Sequence, residues 1–147
     1  MLEKVITYKD PFTDENVSET FYFNITPAEM LDIEARYNGS IMSAIKRVLE
    51  GRNLESIIEI FKYLIAKSYG ERMVNSNRFV KSKEATEAFL ASDAYSELMF
   101  ELLDDKDSAK EFFEHVFPDR EKVRSRFSNL LGYNKPNAEE AADAVVE

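Results

Sequence analysis

The chain has one histidine, His115. A general base needs an orienting partner within hydrogen-bond reach. Its neighbours Phe112, Phe113 and Val116 supply none, so His115 reads as a structural or surface residue. There is no cysteine, which removes disulfides, thiolate metal sites and cysteine nucleophiles and fits a cytoplasmic protein. Glu101, Asp104, Asp105 and Asp107 form the densest carboxylate group, the ligand type that hard cations take. Their spacing lacks the central glycine and terminal glutamate of a calcium loop, and a solvated helix end with a cap explains them better. A carboxylate-metal enzyme centred on Glu101 and Asp104 is the enzymatic alternative. Gly39, Gly51, Gly70 and Gly132 each stand where a helix should end, so C-capping accounts for them. Neither a P-loop nor a dinucleotide fingerprint is present. Arg120, Lys122, Arg124 and Arg126 alternate with Glu121, Val123 and Ser125, and a helix spreads them over several faces. The expectation is therefore no catalytic, metal or cofactor-binding residue, and a protein that binds other proteins.

Composition points the same way. The formal net charge of −9 over 147 residues opposes a phosphate backbone, which disfavours nucleic acid as a direct partner. No stretch approaches the roughly 20 apolar residues of a membrane span, and the N-terminus lacks a signal-peptide pattern. Eleven Phe and seven Tyr are too many aromatics for a disordered chain. Phe and Tyr are also favoured in interface cores. The candidate partner-binding residues are Phe21, Phe23, Phe112, Phe113 and Phe117, because they lie in short elements at the ends of the domain.

The elements that position these residues follow from periodicity and caps. Residues 1–24 read as a β-hairpin. Leu2, Ile6 and Tyr8 recur with period two, Asp10 to Asn16 is turn chemistry, and the return strand puts Phe21 and Phe23 on one face and Tyr22 on the other. Thr26, Pro27 and Glu29 predict a capping box, with Ile25 and Met30 spaced for a staple. Ser40 is expected to cap a second helix and Asn53 a third. That third helix carries an apolar stripe of Leu54, Ile57, Ile58, Phe61, Leu64 and Ile65 and ends at Tyr69-Gly70. Glu71 to Lys81 reads as a polar connection. Ser82 and Ser92 cap two further helices, the second with Tyr95, Leu98, Met99, Leu102 and Leu103 on one face. Another helix follows Asp105-Lys106-Asp107, and a last one carries Val123, Phe127, Leu130 and Leu131. The expected fold is mainly α: a helical bundle-like domain of six to seven short helices with an N-terminal β-hairpin. Residues 1–133 form one domain, helical over 26–132, and 134–147 form a flexible acidic tail.

Several segments together resemble a known family. Thr20-Phe21-Tyr22-Phe23-Asn24-Ile25-Thr26 leads into Ala28-Glu29-Met30. Ile60 to Arg72 (IFKYLIAKSYGER), Arg78-Phe79-Val80-Lys81-Ser82 and Ala94 to Leu102 (AYSELMFEL) follow in order. In this order and spacing the chain is similar to the tail assembly chaperones of long-tailed, siphovirus-type bacteriophages, over residues 1–117. The resemblance implies a protein that binds the long helical tape-measure protein in the host bacterial cytoplasm, keeps it soluble, and helps recruit tail tube subunits. It implies absence from the mature virion, self-association, and a frameshifted longer form that reaches the major tail tube protein. It carries no catalytic residue and no cofactor. The alternatives are a structural phage protein, such as a head–tail connector or minor tail component, and a small protein-binding regulator.

Overall fold

A computed structural model describes residues 1–37 and 40–128. The chain forms two compact units. One comprises residues 1–24 and 59–116, the other 25–58 together with the segment from 117 onward.

The first unit is built on a four-stranded antiparallel sheet in the order β1-β2-β3-β4. β1 (Leu2–Lys9) and β2 (Asn16–Phe23) are the expected hairpin, in a register that pairs Leu2 with Phe23 and Lys9 with Asn16. β3 (Tyr69–Arg72) pairs with β2 through Tyr22–Gly70 and Phe23–Tyr69, and β4 (Phe79–Val80) pairs with β3. The expected mainly α bundle is therefore corrected: this is an α+β fold, and the hairpin is half of a larger sheet. The segment read as a polar connection supplies β4 and the second half of β3. Its strands are four and two residues long, too short to display a period of two.

Gly70 is corrected with it. Helix α3 (Leu54–Ser68) runs directly into β3 without a glycine cap, so Gly70 is a strand residue. A Cβ placed there would come within 2.5–2.9 Å of three ring carbons of Phe79. The Phe79 ring occupies the space above the glycine, the arrangement by which an aromatic side chain covers a glycine in a neighbouring strand.

Register sorts the side chains of the hairpin. Leu2, Lys4, Ile6 and Tyr8 share a face with Val17, Glu19, Phe21 and Phe23. That face carries α4 (Lys83–Leu90), α5 (Asp93–Asp104) and α6 (Lys106–Val116), with α5 and α6 against β1 and α4 against β3. The opposite face is polar at Glu3, Thr7 and Lys9, which are exposed, and Thr7 and Ser18 are joined across it at 2.7 Å. A hydrophobic-in, polar-out alternation of this kind is what a sheet with one solvated face requires. β1 is an edge strand.

The second unit contains α1 (Pro27–Arg36), α2 (Ile41–Gly51), the first turn of α3 and α7 (Arg120–Ser128), with α1 against α7. The capping box is formed: the Glu29 amide donates to Thr26 Oγ1 at 3.2 Å and the Thr26 amide to Glu29 Oε1 at 2.9 Å. Ile25, Met30, Ile33, Ile41, Ile45 and Val123 are buried. Ser40 and Asn53 cap their helices as expected, accepting from Ser43 and Ser56. Gly51 is the last residue of α2, and Arg52 after it adopts the left-handed conformation at φ 53°. Leu54, expected in the apolar stripe of α3, is 58% exposed in the first turn, whereas Ile57, Phe61, Leu64 and Ile65 are buried. The expected helix stop at Asn38-Gly39, the residues Leu130 and Leu131, and the acidic tail lie outside the described residues.

Two measurements test this account by chemical denaturation. Gly70→Ala is expected to cost about 1–3 kcal/mol, because the Phe79 ring must shift to admit the methyl group. Arg52→Gly is expected to add about 1 kcal/mol, because it relieves a left-handed residue that carries a Cβ.

Candidate functional site

Four of the five candidate aromatics are core. Phe23 and Phe113 have no exposed surface, and Phe21 and Phe112 are 8% and 5% exposed. Phe23 meets Tyr69, Phe89 and Phe112 at centroid distances of 5.9, 5.8 and 5.3 Å. Phe113 meets Phe61 and Phe112, each at 5.2 Å. The structure thus gathers Phe21, Phe23, Phe112 and Phe113 inside the first unit. Phe117 is half-buried and belongs to the second.

The residues considered for chemistry are engaged structurally. His115 lies in the last turn of α6 with Nδ1 2.7 Å from the Glu111 carbonyl oxygen. That oxygen only accepts, so Nδ1 donates and the ring caps the end of the helix. Glu101 accepts from Lys4 Nζ at 2.8 Å. Asp105 takes the Asp107 amide at 3.0 Å and the Ser108 hydroxyl at 3.3 Å. Lys122 and Arg126 are exposed on α7 while Val123 is buried, the pattern of a solvated face.

The surface offers something that sequence reading missed. At one corner of the first unit a groove of about 520 Å³ lies between the sheet and the α4–α5 junction. Its floor is aromatic: Phe21 from β2, Tyr69 from β3 and Phe89 from α4, with Tyr69 and Phe89 stacked at 4.4 Å and 8°. Its wall is small: Ala85, Ala88 and Ala94, with Ser82 and Ser92. Its rim is acidic, from Glu19, Glu71 and Glu84. Tyrosine hydroxyls hold two of these carboxylates, Tyr8 to Glu19 at 2.7 Å and Tyr69 to Glu71 at 3.2 Å. Among the described residues, no lysine or arginine lines the groove.

The electrostatics register this. Burial, and then the Glu71 carboxylate beside it, push the Tyr69 hydroxyl well above the usual phenol range. The hydrogen bond to Glu19 raises Tyr8 in the same direction. Burial raises Tyr95. Both tyrosine–carboxylate pairs join residues on one sheet face, and the partners of each are either on neighbouring strands or two positions apart on one. The signal in the sequence was Glu19 and Glu71 standing at inward positions of strands, visible only once the register is known.

The same end of the sheet carries the two most exposed large apolar side chains among the described residues, Phe12 and Val74. The β1–β2 turn and the β3–β4 turn project together, because β3 runs antiparallel to β2 from the Phe23 end. Phe12 in the first turn is 95% exposed, and Val74 and Met73 in the second are 84% and 52% exposed. Both turns are well formed. Asp10 and Glu15 close one and Met73 and Arg78 the other, with Asp14 and Asn75 in the left-handed conformation. Apolar tips on ordered turns, beside an acidic groove, form a surface suited to a protein partner.

A family model described as phage tail assembly chaperone matches residues 1–144. The chain belongs to the phage tail assembly chaperones. No curated protein and no solved structure matches it. The match extends beyond residue 117, where the segment resemblance ended. Membership assigns the chaperone a binding role in the assembly of tail proteins. Among the described residues, no helix is long and apolar enough to cross a membrane.

The raised phenols give the chaperone a defined alkaline limit. A neutral phenol favoured by the fold contributes stability that is complete below about pH 10, the unfolded value, and is lost as pH rises through the higher folded value. Stability is therefore expected to fall above about pH 10. Tyr69→Phe should flatten that fall while costing about 1 kcal/mol at neutral pH through the lost hydrogen bond. Urea midpoints measured from neutral to alkaline pH check both.

Proposed function

We propose that this chaperone acts in the host bacterial cytoplasm by binding the tape-measure protein before the tail tube forms. It keeps that long helical client soluble, helps bring tail tube subunits to it, and leaves before the virion is complete. The observation that carries the reading is the family match over residues 1–144. The surface supports it. A tape-measure protein presents long amphipathic helices, and a partner for them needs apolar contacts on a charged, soluble body. Phe12, Met73 and Val74 supply apolar contacts at one end of the sheet, and the net charge of −9 opposes aggregation. Many weak contacts repeated along one polymer, by copies that also self-associate, give avidity without a deep pocket. A frameshifted longer form would extend the same contact to the major tail tube protein. Phe117 is the one original candidate aromatic that is not buried and is retained as a second contact. Phe112 is unsuitable as a probe, because a carboxylate there would enter the core.

Co-expression with the tape-measure protein tests the contact. Phe12→Ser with Val74→Ser is expected to lose most of the co-purified client with an unchanged far-ultraviolet circular dichroism spectrum, since exposed substitutions cost within about 0.5 kcal/mol. Undiminished co-purification would overturn the assignment to the turn tips. Mass spectrometry of purified virions tests the assembly role. The chaperone is expected to be absent, and stoichiometric presence would favour a structural tail component instead.

A further inference from the structure

The groove between the sheet and α4 has a composition that a plain apolar contact does not need. We propose that it takes a lysine or arginine side chain from an amphipathic helical segment of the client, laying the apolar stem along the aromatic floor and the cation between the rim carboxylates.

Four observations carry this. Phe21, Tyr69 and Phe89 close the floor, each at most 8% exposed, which leaves a thin apolar surface along which the methylene stem of a long basic side chain can lie. Glu19, Glu71 and Glu84 surround that floor, and among the described residues no basic side chain lines it. Glu19 and Glu71 each receive one tyrosine hydroxyl. A carboxylate has about four acceptor positions, so each is oriented by its tyrosine and retains capacity for an incoming donor. Ala85 and Ala88 leave the wall low, which gives a long side chain standing on a helix a route to the floor. The exposed apolar tips at the same end of the sheet fit the other face of the same segment, so charge and apolar surface are matched to one amphipathic partner. The inference deepens the client reading by naming the chemistry recognised, and it is tested apart from that reading.

The probe is a fluorescein-labelled amphipathic peptide of leucine and lysine, roughly 20 residues long so that it can hold a helix, titrated with the full chain and followed by anisotropy. The expected result is binding that weakens with salt, and about tenfold weaker binding when each lysine is replaced by glutamine. Glu19→Gln with Glu71→Gln and Glu84→Gln should weaken the lysine peptide by about tenfold and reduce the salt dependence. Ala88→Arg, which supplies a cation from the wall itself, should do the same. The control has the same charge change elsewhere in the first unit: Asp104→Asn, Glu111→Gln and Glu114→Gln should leave binding near that of the native chain. Equal weakening by the control would overturn the inference in favour of diffuse attraction to the net charge. Equal affinity for the glutamine peptide would overturn it by removing any role for the cation. If the native chain co-purifies with the tape-measure protein and the groove variants do so equally well, the groove inference fails and the client reading stands. If the native chain fails to co-purify, the client reading fails, whatever the peptide shows.

Discussion

The Phe23 ring has no exposed surface and meets rings from β3, α4 and α6. Through it the last residue of the hairpin is joined to elements that follow it by 46 to 89 positions in the sequence. Phe21, two positions earlier on the same face, adds Phe89 at 5.1 Å and Tyr8 at 6.5 Å. Aromatic pairs at such spacings contribute roughly 0.5–1.5 kcal/mol each beyond the area they bury. A cluster of this kind explains why a four-stranded sheet with two very short strands persists at all. β3 and β4 have few ladder hydrogen bonds, and Tyr69 and Phe79 hold them by packing. It also places the groove, whose floor is the outer surface of the same cluster.

Local chemistry was legible in the sequence. Thr26, Ser40, Asn53, Ser82 and Ser92 each sit before a helix with the side chain aimed at an amide three residues on, and each cap is formed. These depend on neighbours in the chain and on nothing else. The hairpin was legible for the same reason, since its turn and its two alternating runs are adjacent. β3 and β4 were not. Tyr69-Gly70 ends a helical stripe and resembles a stop signal, and only the distant β2 shows it to be a strand. Gly70 is glycine because of a ring nine positions later, a packing reason that no local rule expresses.

The candidate site separated along the same line. An apolar alternation states which face of a strand is buried, but not whether the thing that buries it is the chain itself or a partner. Phe21 and Phe23 were read toward a partner, and helices of the same unit cover them. The acidic groove was hidden for the converse reason. Glu19 and Glu71 look like ordinary solvated carboxylates until the register puts them on the inward face beside two tyrosines. What a binding surface of this protein offers is an arrangement of residues whose types alone are unremarked.

The first unit is interrupted in sequence: residues 1–24 belong with 59–116. During synthesis the hairpin therefore leaves the ribosome with Leu2, Ile6, Phe21 and Phe23 facing outward, and nothing covers them until α4 to α6 have followed. An isolated hairpin is marginal in water, and long-range closure is the slow part of folding. A tail assembly chaperone thus begins life with an uncovered aromatic sheet face of its own, and the chain length between Asn24 and Val116 sets how long that interval lasts.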